Sequence, residues 1–155
     1  MSALSFELSR HPGDPATGFD LGDIQVTGDQ ASVSSAGQKP SQSMMIYVSL
    51  SELLDALSRM ARAGAGRYAF IGVDSSFRLD FELTGAGVMT IIGRGGTLIA
   101  KAPLATCLVS FRAGLERFLG ARENQLPAAD PVAGDLRAAR QSFEAASEIY
   151  WSSAT

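Results

Sequence analysis

"FRLDFELTG" (residues 77–85) alternates without a break: Phe77, Leu79, Phe81 and Leu83 point one way, and Arg78, Asp80 and Glu82 the other. A period of two over this length is the signature of a strand buried on one face only, as in antiparallel sheets. Its neighbours read the same way. "RYAFIGV" (67–73) precedes it, and "VMTII" (88–92) and "TLIAK" (97–101) follow, separated by glycine-rich turns. Four strands joined by short turns predict part of an antiparallel sheet, whose strand order the sequence leaves open, with one face for a core and one charged face.

The pattern before this meander is similar. Leu4, Phe6 and Leu8 alternate with Ser5, Glu7 and Ser9, and "IQVTGDQASVSS" (24–35) reads as a hairpin around Gly28-Asp29. "HPGDPATGFDLGD" (11–23) and "AGQKPSQ" (36–42) read as loops, and "MMIYV" (44–48) as a short apolar strand. From Ser49 the period becomes helical. Leu50, Leu53, Leu54, Leu57, Met60 and Ala61 share a face, Ser49 with Glu52 has the form of a capping box, and "AGAG" (63–66) ends the element. A second helix after Pro103 carries Leu104, Leu108, Phe111, Leu115, Phe118 and Leu119. A third, opened by Asp130-Pro131, carries Val132, Leu136, Ala139, Phe143, Ala146 and Tyr150.

These elements predict an α+β fold: an antiparallel β-sheet of about seven or eight strands in two strand-strand-strand-helix halves, helices packed on the sheet, and an extra C-terminal helix. The expected organisation is a single domain over 1–125 and a helical segment over 126–155 that docks on the domain or on a partner. "FELS" (6–9) beside "FELT" (81–84) suggests an internal pseudo-repeat of 3–63 and 67–123, resting mainly on the element order.

Composition narrows the function classes. The 155 residues are 46% hydrophobic with a net charge of −3, enough apolar material for a core. No run approaches the roughly 18 apolar residues of a spanning helix, and the start lacks a signal-peptide pattern, so the expected location is the cytoplasm, away from membranes. Cys107 is the one cysteine, which rules out an internal disulfide and cysteine-based zinc clusters. The negative charge is concentrated in residues 1–48, where Arg10 and Lys39 face Glu7, Asp14, Asp20, Asp23 and Asp29; beyond them acids and bases balance. That distribution argues against nucleic acid as a partner.

Catalytic equipment is sparse. His11, the one histidine, lies near Asp14, Asp20 and Asp23, but the spacing fits no calcium loop, and aspartates in such a segment serve turns. Cys107 sits among apolar neighbours and reads as a core thiol. "GRGG" (93–96) precedes β-branched residues rather than a helix, so it reads as a hairpin turn and not a phosphate cradle. Asp80 and Glu82 share a strand face about 7 Å apart, a spacing compatible with paired-carboxylate catalysis, but Arg78 beside them favours ionised carboxylates. The sequence therefore predicts no enzyme, no catalytic residues, no metal and no cofactor. It predicts a protein-binding module whose candidate contact residues are Arg78, Asp80, Glu82, Glu7, Tyr150 and Trp151.

"SELLDAL" (51–57), "YAFIGVDSSFRLDFEL" (68–83) and "FRAGLERFL" (111–119) give residues 46–120 a resemblance to the WapI-like bacterial immunity proteins. In that family a strand runs into a leucine-rich helix, then aromatic-rich strands, hairpins and a closing helix. The resemblance implies a cytoplasmic protein that neutralises a cognate toxin domain; it carries over no functional residue. The third helix and the acidic loop lie outside the pattern. The order of strands and helix, taken twice, is also similar to Whirly and Pur-type single-stranded nucleic-acid binders. A third reading is an accessory subunit of a larger bacterial assembly, or a homo-oligomer, joined through the C-terminal helix.

Overall fold

The computed structural model describes residues 4–151. Residues 1–3 and 152–155, the ends of the expected domain and of the C-terminal segment, lie outside the described residues. Among the described residues the fold is α+β, with eight antiparallel strands in two sheets and three α-helices, the last of them towards the C-terminus. Strands β1 (Ser5–Arg10), β2 (Leu21–Thr27), β3 (Ser32–Ser34) and β4 (Met44–Met45) lead into α1 (Ile46–Ala63). Strands β5 (Gly66–Ile71), β6 (Arg78–Leu83), β7 (Val88–Gly93) and β8 (Leu98–Pro103) lead into α2 (Leu104–Gly120), and α3 (Pro131–Ser147) follows. Each half thus runs four strands and then a helix.

The halves pair their strands differently. In the first sheet β2 is central, with β1 on one side and β3 and β4 in succession on the other. The second sheet is a plain meander, β5-β6-β7-β8. Phe6 of "FELS" lies on the first strand of its half, whereas Phe81 of "FELT" lies on the second strand of its own. The sheets meet at two corners. At one, Gln30 N–H donates to the Ile99 carbonyl at 3.1 Å, and at the other Met45 N–H donates to the Val73 carbonyl at 3.0 Å. Gly28 is required at the first corner, because a Cβ there would sit 2.2 Å from the Ile99 oxygen.

Inward side chains of both sheets form one core with the helices. Phe6, Ile24, Val26, Phe70, Leu79, Phe81, Met89, Ile91 and Ile99 meet Leu50, Leu54, Leu57, Leu108 and Phe111 there. Phe111 stands edge-on to Phe6 at 5.3 Å and to Phe143 at 5.8 Å, so α2 bridges the first sheet and α3. Gly114 lets α2 approach β1 closely, since a Cβ would fall 2.3 Å from the Phe6 carbonyl oxygen. The C-terminal helix packs along α1 and buries Val132, Leu136, Ala139 and Phe143. Asp130 caps it, accepting from Val132 N–H at 2.9 Å, a contact worth about 1 kcal/mol in comparable helices.

Two expectations change at the start of α1. "MMIYV" is a strand only at Met44–Met45, and the helix begins at Ile46, so Ser49 lies inside it. No side chain caps this helix, and the Ser49 hydroxyl accepts from Val73 N–H at 2.9 Å. Ile46 and Tyr47 are fully buried and continue the stripe of Leu50, Leu53 and Leu54. An apolar run buried on every side carries no period to separate strand from helix, and tertiary enclosure decides.

Candidate functional site

The opening strand becomes β6, the second strand of the second sheet, and its two faces part as the alternation requires. Leu79, Phe81 and Leu83 are buried, while Arg78, Asp80 and Glu82 stand on the outer face. Register places Arg67 beside Glu82, Ala69 beside Asp80 and Ile71 beside Arg78 on β5. On the other flank Thr90 lies beside Glu82 and Ile92 beside Asp80, followed by Lys101 and Leu98 of β8. An irregularity between Ile91 and Ile92 turns both Ile99 and Ala100 inward and leaves Leu98 on the outside.

The outer face therefore combines charge and apolar surface. Arg78 clasps Asp80 through both Nε and Nη2, at 3.0 and 2.9 Å to the carboxylate, and Arg67 lies 3.4 Å from Glu82. Between these pairs Ala69 is small, and a depression of about 330 Å³ opens above it, lined also by Asp80 and Ile92. Ile71 and Leu98 remain 48% and 39% exposed. Both carboxylates face guanidinium groups on a solvent-exposed face.

The remaining predicted contact residues lie elsewhere. Glu7 is exposed on the outer face of the first sheet, beside Gln25, and does not join the Arg78–Glu82 row. Trp151 packs on Phe143 at 5.9 Å, with the Arg112 guanidinium 4.5 Å above its ring; Arg112 in turn grips Glu144 at 2.7 and 3.0 Å. Tyr150 packs against the core, and its hydroxyl donates to the Ala61 carbonyl at 3.4 Å. The pair closes the end of the α1, α2 and α3 layer. Sequence reasoning overlooked Arg67, Ala69, Ile71, Ile92 and Leu98; the period of two puts the first three on a common face, and the register with β6 makes it the charged one.

The acidic loop is an internal hydrogen-bond system. Arg10, with a side chain only 5% exposed, donates to Asp20 at 3.1 Å, to Asn124 Oδ1 at 3.3 Å and to the carbonyls of Gly13 and Glu123 at 2.8 and 2.6 Å. Burial pushes the Asp20 carboxyl up, but hydrogen bonds from Thr17 and the Arg10 charge outweigh it and leave the pKa lowered. Asp23 is likewise lowered: burial opposes the charge, while Ser43, Ser35 and His11 stabilise it more strongly. His11 Nε2 lies 3.0 Å from Asp23 and 3.2 Å from the Ser43 hydroxyl, which itself donates to Asp23 at 2.7 Å. A serine nucleophile needs its base on one imidazole nitrogen and the orienting acid on the other. Here both partners crowd the same nitrogen, so the cluster does not have the geometry of a relay. Among the described residues no group of three or more His, Cys, Asp or Glu is placed to hold a metal. Cys107 is fully buried, which pushes its thiol up to about 12 and keeps it protonated. Among the described residues no helix is long and apolar enough to cross a membrane.

No family model, curated protein or solved structure matches the chain.

Proposed function

We propose that this chain is a non-enzymatic protein-binding module that docks a protein partner on the outer face of β5–β8. The carrying observation is that this face stays outside the shared core and keeps Ile71, Leu98 and half-buried Ile92 among oriented ion pairs. Apolar surface framed by fixed charges suits a protein interface, where burial supplies affinity and charge selects partner and register. The narrower form of the proposal, implied by the resemblance of residues 46–120, is an immunity function with a toxin domain as the partner.

The single-stranded nucleic-acid reading has less support. Arg67 and Arg78 each face a carboxylate, so Lys101 alone is left to meet phosphate on this face, a small cationic surplus. The outward residues of β5–β8 include no aromatic ring on which a base could stack.

The test is capture of partners from host lysate by the immobilised protein, wild type against Leu98→Lys and Ile92→Asp. One partner held by the wild type and lost by both folded variants is the expected result. Equal capture by all three, or capture of single-stranded nucleic acid at physiological salt, would refute the reading.

A further inference from the structure

Among the described residues β5 is an edge strand whose main chain is unpaired on the outer side. The Gly72 N–H donates to the Phe77 carbonyl at 2.9 Å, so residues in phase with Gly72, namely Phe70, Tyr68 and Gly66, direct their backbone groups at β6. Arg67, Ala69, Ile71 and Val73 direct theirs away. Val73 is satisfied by Ser49 and Met45. Among the described residues nothing bonds the outward N–H and C=O groups of Arg67, Ala69 and Ile71, and all three residues are exposed. Such a ladder is a template for another strand.

The edge also has a depression on each side. On the outer face is the hollow above Ala69. On the inner side a second hollow of about 190 Å³ lies between α1 and β5, lined by Ala56, Met60, Ala63 and Tyr68, with Arg59 and Arg67 at its rim. Arg59 forms no ion pair among the described residues, and Arg67 is 81% exposed with one partner. A strand added beside β5 alternates its side chains between these two sides.

We infer that the β5 edge accepts an extended segment of the partner protein, in which a branched apolar side chain enters the α1/β5 hollow beside Arg59 and the adjacent acidic side chains, turned to the outer face, meet Arg67. This rests on the protein-binding reading and names the chemistry of the partner at the margin of the same face. Strand addition supplies affinity through the main chain, and the side pockets supply specificity. Arg67, held only by Glu82 at 3.4 Å, selects acidic over basic neighbours, and Arg59 adds positive charge at the hollow.

The probe is an acetylated, amidated hexapeptide of alternating valine and glutamate, titrated into ¹⁵N-labelled full-length protein. The expected result is amide shifts centred on Arg67, Ala69 and Ile71, and binding about tenfold weaker when lysine replaces glutamate. Ala69→Pro removes an N–H that has no partner within the chain, so the fold is retained while the peptide shifts are lost; Arg67→Glu removes the preference for glutamate. Shifts centred elsewhere, equal affinity for both peptides, or no binding at about 10 mM peptide would overturn the inference. So would protection of these same amides by protein concentration alone, which would make a second copy the occupant. Lysate capture separates the two proposals: a partner lost with Leu98→Lys but kept by Ala69→Pro leaves the binding face standing and removes the strand edge.

Discussion

Replacing Arg10 by methionine preserves the bulk of the side-chain stem and deletes only the guanidinium. Five acceptors lose a donor: the Asp20 carboxylate, Asn124 Oδ1, and the carbonyls of His11, Gly13 and Glu123. The three carbonyl contacts are exposed, so water replaces the donor there at small cost. Asp20 and Asn124 are partly buried, and a charge-assisted bond to such groups contributes roughly 1.5–3 kcal/mol, with incomplete additivity. Asp20 keeps two bonds from Thr17, at 2.9 Å each, which lowers its share. The expected loss is about 3 kcal/mol, or a fall in Tm of roughly 6–12 °C for a chain of this length. Asp20→Asn removes one acceptor charge and leaves the others, so it is expected to cost about 1 kcal/mol. Urea unfolding followed by far-UV circular dichroism measures both. If Arg10→Met costs no more than Asp20→Asn, Arg10 is not the tie between β1, the 11–20 loop and the segment after α2.

Gly114→Ala is expected to cost about 2–3 kcal/mol by forcing α2 away from the Phe6 carbonyl, whereas Gly134→Ala, at an open site inside α3, is expected to gain about 0.5–1 kcal/mol; thermal melts compare them. Asp20 and Asp23 have lowered pKa values in the folded state, so their contribution is present above the unfolded value near 3.8 and is lost as pH falls through the folded values. Stability measured across pH 2–6, a range of about four units around those carboxylates, is expected to fall in acid, and Asp23→Asn is expected to flatten the dependence. Arg112→Lys removes both the fork onto Glu144 and the flat contact with Trp151, with an expected cost of about 1 kcal/mol and a red shift of Trp151 emission; an unchanged spectrum would show that the ring does not rest on that guanidinium.

The candidate site was partly legible in the chain. The alternation of Arg78, Asp80 and Glu82 assigns them to one face because side chains in a strand alternate by geometry, whatever the strand pairs with. Which residues flank them is a matter of register, and that is set by contacts distant in sequence: Arg67 lies beside Glu82, and Leu98 beside Ile92 only because of the irregularity in β7–β8. Glu7 alternates in the same way yet belongs to the other sheet. Tyr150 and Trp151 have the chemistry of interface anchors, but aromatic side chains close cores as readily as they bind partners, and the packing of α3 on α1 settles their place.

By itself the sequence determined the α+β class, the strands of the second half, the three helices and the inward stripe of each. These follow from the local period of apolar residues and from turn chemistry, which act over a few residues. The tertiary structure decided that the strands divide into two sheets, that α1 begins at Ile46, that Arg10 is buried among acceptors from distant segments, and that the outer edge of β5 is unpaired. Each of these depends on which surfaces meet when the core closes, and the free energy of that closure is a sum over pairs that no local pattern contains.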